Sequence, residues 1–138
     1  MIFWLLVQFL LGMALNIFVD IPRNHPGANP PEYFSGVAQS VSWSILHGPV
    51  LLILHAVLGL LLLIGAIVLV VQAVRSGPRS FAIAAGVGAF AILAAGLNGG
   101  SFLNYNQDFS SMIMAAFFAI AIAADAAAMF VAPSPARA

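Results

Sequence analysis

The sequence predicts an all-α integral membrane protein: four transmembrane helices in an up-down bundle, with both termini cytoplasmic. Three observations carry this. Of 138 residues, 63% are hydrophobic and 6% charged, whereas a soluble domain carries about a quarter of its residues charged. Mean hydropathy is +1.10, so lipid is the expected solvent. Apolar stretches recur at lengths near the ~20 residues a helix needs to cross hydrocarbon. The length allows a single domain over 1–138 with short loops.

The first span is expected over 2–19, interrupted only by Gln8 and Asn16. No basic segment precedes it and no small-residue cleavage site follows, so it reads as a retained helix rather than a signal peptide. An outward Pro-rich loop is expected over 20–40. It contains Pro22, Pro26, Pro30 and Pro31, which stop a helix by removing N–H donors. The stretch Ser35–Leu46 is milder in character. It predicts either a kinked extension of the second span, bent at Gly48-Pro49, or a separate interfacial segment with Trp43 at headgroup level.

The second span, over 49–74, is the most apolar, with His55 the one polar residue between Pro49 and Val71. Arg75-Ser76-Gly77-Pro78-Arg79 makes a tight turn. The third span covers 81–100, a polar loop holds Asn104, Asn106, Gln107 and Asp108, and the fourth span covers 111–132 before Pro133 and Pro135. Arg75, Arg79 and Arg137 fall on one side and Arg23 on the other. By the positive-inside rule the first three are cytoplasmic. This places the chain in a cell (inner) membrane as a multi-pass protein, and its Ala- and Gly-rich usage, with arginine and no lysine, fits a bacterium with a GC-rich genome.

Small residues repeat along the last two spans: Ala84, Gly88, Gly96 and Gly100, then Ala115, Ala119, Ala123 and Ala127. Such stripes let helices approach closely in lipid, within one bundle or in a homo-oligomer. The net charge is zero, which excludes a nucleic-acid binder. The absence of cysteine excludes disulfides, Fe–S clusters and Cys-ligated zinc. No phosphate loop, HExxH pair or nucleophile elbow is present.

Polar residues at membrane depth are costly, and mark candidate sites. His55 lies ~9 Å inside the outer edge of its span, and His47 near that edge. On one regular helix they would sit ~12 Å apart along the axis and ~80° apart around it, too far for one metal ion. Asn16, Asn98, Ser101, Ser110 and Ser111 also fall in the outer third of their spans. His25, in the Pro-rich loop, is expected to be solvated. A surface metal site from His25, Glu32, His47 and Asp108 has no ligand spacing to support it. Asp125 sits alone in an alanine run near the cytoplasmic end. Gln8, at similar depth, is a candidate hydrogen-bond donor to it, and Asp125 serves either packing or a proton or cation step.

His55-Ala56-Val57-Leu58-Gly59 places a potential ligand one turn before a small residue, the gap a flat macrocycle needs. With the span from His47 to Arg75, this resembles a haem-bearing helix of small four-helix membrane cytochromes of the b561 type. The resemblance covers one helix. It implies haem b and electron transfer, with His55, His47 and Gly59 as cofactor-binding residues and His55 and His47 as iron ligands. Those cytochromes usually bring ligands from two helices. Spans one, three and four here contain no histidine, so a second axial ligand must come from another protomer or from Met13, Met112 or Met114. The alternatives are an oligomeric channel or small transporter lined by Asn16, Asn98, Ser101 or Asp125, and an accessory subunit of a larger membrane complex. An enzyme acting on lipid or quinone would place its site in the same outer polar cluster.

Overall fold

A computed structural model describes residues 1–132, so Pro133, Pro135 and Arg137 lie outside the described residues. The fold is all-helical, with five helices among the described residues: α1 (Ile2–Phe18), α2 (Tyr33–His47), α3 (Val50–Ser76), α4 (Arg79–Tyr105) and α5 (Asp108–Val131). Three of them, α3, α4 and α5, are long and apolar enough to cross a membrane. The 17 residues of α1 extend ~26 Å.

The fifth helix corrects the expected loop over 20–40, which ends at Glu32. Glu32 caps α2: its carboxylate accepts from the backbone N–H of Ser35 at 2.6 Å and of Phe34 at 2.9 Å, satisfying donors that a helix start leaves unpaired. Gly48 and Pro49 are both extended, with ψ near 165° and 149°. They separate α2 from α3 completely rather than kinking one helix. Pro49 then costs α3 nothing, because the first-turn N–H has no intrahelical partner. At the other polar loop the difference is reversed. α4 runs through Asn98-Gly99-Gly100-Ser101 to Tyr105, and Asn106 ends it in the left-handed region at φ 51°, a conformation asparagine tolerates.

The two Ser35 and Phe34 hydrogen bonds, Ser35 foremost, hold the Glu32 carboxyl below its ordinary value. A lowered folded value means the cap is fully formed above the ordinary carboxyl range and fails as pH falls through the lowered value. Amide exchange in the first turn of α2 is therefore expected to accelerate in acid. Glu32→Gln should remove that pH dependence, and an unchanged profile in the variant would exclude the cap as its source.

Helices α1, α3, α4 and α5 close a ring. Packing runs α1 on α3, α3 on α4, α4 on α5 and α5 on α1, while α2 lies outside against α3 and α4. The shared core is Leu5, Leu62, Ala66, Ala91, Ile92, Ala95, Phe118 and Ala121, one or more from each ring helix. The Met1 side chain lies against Gly65, midway along α3, so α1 lines one half of the bundle and leaves the other to α3, α4 and α5.

The α4–α5 contact uses small residues, but not the expected stripe on α5. Ala115, Ala119, Ala123 and Ala127 are exposed. The buried face is Phe118, Ala121, Ala124, Asp125 and Ala128. In an all-apolar helix every face is equally greasy, so hydropathy does not choose the rotation. Asp125, the one carboxyl beyond the first turn of α5, does, by turning inward from lipid. On α4, Gly88 and Gly100 are buried as expected, Ala84 is half-buried and Gly96 is exposed.

Candidate functional site: a cleft inside the helix ring

The ring encloses a cleft of about 920 Å³ that opens beside the α1–α2 loop and the α4–α5 turn. Its floor is the apolar core, with Leu62, Ile92, Ala95 and Phe118 contributing to both. Its size falls in the range of small-molecule sites, ~300–1,000 Å³.

One polar pair stands in its wall. Gln8 of α1 donates from Nε2 to the backbone oxygen of His55 at 3.0 Å, and the same nitrogen lies 3.3 Å from His55 Nε2. A donor facing Nε2 makes that nitrogen the acceptor and leaves the ring proton on Nδ1. Among the described residues neither Nδ1 of His55 nor Oε1 of Gln8 has a partner.

The pair fits because each helix supplies a glycine to the other's polar residue. A Cβ on Gly12 would lie 3.1 Å from His55 Cε1, and a Cβ on Gly59 would lie 3.2 Å from Gln8 Nε2. Gln8-x-x-x-Gly12 on α1 thus meets His55-x-x-x-Gly59 on α3, one turn apart on each helix and running in opposite directions. The gap at Gly59, expected to receive a macrocycle, receives the Gln8 side chain.

The mouth is polar. Asn16, Asp20, Arg23, Asn106, Asp108 and Ser111 line it. Asn16 Nδ2 reaches Ser111 Oγ at 3.5 Å, joining α1 to α5. With the Asn106 amide turned so that its oxygen faces Arg23, it accepts from Nη2 at 2.7 Å and from Nη1 at 3.3 Å.

The remaining expected residues separate. His47 is exposed at the end of α2 and does not line the cleft, so the two histidines do not share a site. Asn98 turns back on its own helix, donating to Ala94 O at 2.9 Å. Ser101 binds Leu97 O and the Tyr33 hydroxyl, at 3.1 and 2.9 Å, so both α4 residues serve helix packing. Met13 is exposed, while Met112 and Met114 line the cleft. Asp125 is 6% exposed, Oδ1 against Gly88, with no bond to Gln8. Gln8 is occupied by His55 instead. Among the described residues no group of three His, Asp or Glu side chains is placed to hold a metal ion.

His25 is buried rather than solvated. Its ring stacks on Trp43 at 4.4 Å and 15°, and Nδ1 lies 2.9 Å from Pro26 O. This stack belongs to a second polar assembly, outside the cleft and centred on Asn104. Ser40 Oγ donates to Asn104 Oδ1 at 2.7 Å, and the Asn104 backbone oxygen accepts from Asn29 N at 2.8 Å.

The signal for the cleft pair was present in the sequence as two i,i+4 polar–glycine pairs, Gln8/Gly12 and His55/Gly59. Only their juxtaposition was missing. Arg23 carried no local signal. The chain matches no family model, no curated protein and no solved structure.

Proposed function

We propose that this protein binds an amphiphilic, lipid-soluble small molecule in the cleft of its helix ring. The apolar body occupies the space between α1, α3, α4 and α5, and the polar end meets Gln8 and His55 or the Arg23–Asn106 mouth. The observation that carries the reading is the cleft itself. A helix bundle of this size normally fills its centre with side chains, whereas this one keeps about 920 Å³ open beside a buried polar pair.

The topology that suits this reading has α3, α4 and α5 cross the membrane and α1 enter it from the outer side to about mid-depth. Arg75 and Arg79, at the α3–α4 turn, then mark the cytoplasmic side. The end of α5 then falls on that side, the start of α1 stops short of it, level with Gly65, and the cleft opens outward in the cell membrane. A ligand reaches it from the outer leaflet without crossing the apolar floor.

A b-type haem is the second reading, favoured by one observation. Met112 and Met114 line the cleft from α5, across the ring from His55. Haem ligation by His55 requires Nε2 to leave Gln8 or the free Nδ1 to turn into the cleft.

Both readings are tested on detergent-purified protein by solvent extraction with mass spectrometry, and by absorption spectra before and after dithionite reduction. A co-purifying lipophilic molecule above the lipid background is expected. A Soret band that shifts on reduction and is lost in His55→Ala would make that molecule haem. The decisive variant is Gly96→Phe. Gly96 lines the cleft and a Cβ there meets nothing within 4 Å, so a ring fits without displacing the fold. Bound molecule should fall at least tenfold with an unchanged melting profile. Equal content in native and variant protein would rule the cleft out.

A further inference from the structure

Asp125 lies outside the cleft and its polar pair. Its side chain is 6% exposed. Oδ1 lies 3.3 Å from where a Cβ on Gly88 would stand, and Oδ2 has no hydrogen-bond partner among the described residues. The elements packed on α5 are α4 and α1. α4 faces it with Gly88, and the rest of its buried inner half, Ala85, Ala91 and Ile92, does not titrate. From α1 the titratable group is the Met1 amino group, and from the α3–α4 turn Arg75 and Arg79. Arg79 stands nine residues before Gly88, ~13 Å along the helix.

An ionised carboxyl in such a place loses its hydration and gains no hydrogen bond in return. Groups so placed either neutralise or take up a counter-charge. Packing alone does not call for a carboxyl, since alanine occupies neighbouring positions of the same face at 121, 124 and 128. The apolar core, with Phe118 and Ala121 among its members, stands between Asp125 and the cleft. Toward the other end, Val131 terminates α5 six residues on, ~9 Å away.

We infer that Asp125 is an intramembrane proton-binding site, separate from the cleft, holding an exchangeable proton at neutral pH and receiving it from the inner end of α5. The reaction is simple protonation: one proton adds to a carboxylate oxygen, and no other bond changes.

The test is infrared spectroscopy of the full chain in lipid vesicles at mildly alkaline pH, with aspartate isotope-labelled at the carboxyl carbon. The expected result is a protonated-acid carbonyl band that shifts with the label and is missing in Asp125→Asn. It should shift again within minutes of transfer to heavy water. Should Asp125→Asn fail to fold, the labelled native chain still decides the point. The chain's other two aspartates, Asp20 and Asp108, are exposed, and changing both to asparagine leaves Asp125 the one labelled carboxyl. Carboxylate bands alone would overturn the inference. So would an acid band that never exchanges, since its proton would be locked in by packing. Gly96→Phe should leave the exchange rate unchanged, and a slowed rate would show that the proton comes through the cleft instead.

Discussion

Asn104→Ala is expected to release α2 and the loop over 20–32 from the bundle while leaving α3, α4 and α5 packed. Asn104 is 1% exposed and its side chain holds three segments together. Ser40 Oγ donates to it at 2.7 Å, and its amide nitrogen reaches Tyr33 O at 3.4 Å. With the amide turned over, it instead donates to Gly36 O and Gly27 O at 3.2 Å each and to Ser40 Oγ at 2.7 Å. Either orientation ties α2 to the end of α4, and the turned one also reaches the loop at Gly27. Alanine orphans the Ser40 hydroxyl and leaves buried carbonyls unpaired, at about 1–3 kcal/mol for each group so stranded. Little compensates, because α2 approaches α4 through close contacts that cannot readjust. A Cβ on Gly100 would already stand 2.8 Å from Val37 Cγ1, and Gly36 is covered by the ring of Pro30. Hydrogen exchange and limited proteolysis should show residues 20–47 unprotected by a factor of ten or more. Protection equal to that of the native chain would mean that the Gly36–Pro30 and Gly100–Val37 packing suffices alone. The mouth depends on the same loop, which carries Arg23, so ligand retention should fall in parallel.

How far the sequence foretold this arrangement depends on the kind of signal each part left. α3, α4 and α5 were legible because composition alone dictates a helix where no water can satisfy the backbone. α2 was obscured by its serines. Ser40 and Ser44 are fully buried, and Ser44 bonds back to Ser40 O at 2.8 Å, so its polar face is the packed face and the usual amphipathic reading inverts. His25 was misread for a related reason. Prolines around it suggest open chain, yet the flat ring of Trp43, eighteen residues on, covers it. The rotation of α5 was illegible from small residues, since alanines occur on every side of it. His55, which lies in the cleft wall, was singled out by depth. Its partner and the use of Gly59 were not, because both depend on which helix lies opposite, and α2 intervenes in the chain between α1 and α3.

The reciprocal notch predicts a specific rescue. Gly12→Leu places a branched side chain where a bare Cβ would already stand 3.1 Å from the His55 ring. Overpacking of that kind costs about 1–3 kcal/mol. The strain is relieved by moving α1, because α3 is held on its other side by α4 and α2. Docking of α1 can be read by crosslinking. The native chain has no cysteine, and Asn16 and Ser111 are in contact across α1 and α5, so Asn16→Cys with Ser111→Cys reports closure of the ring. In that background Gly12→Leu should lower disulfide yield several-fold and lose the bound molecule. Adding His55→Ala removes the imidazole that the leucine strikes and leaves room close to what the leucine fills. It also removes a polar group from an apolar span, which makes insertion easier rather than harder. Crosslinking should therefore return toward the native yield in the combined variant. Ligand should not return, because its polar contact has gone. The two readouts separate packing from binding: recovery of both would reduce His55 to a space-filling residue, and recovery of neither would place the damage of Gly12→Leu outside the notch.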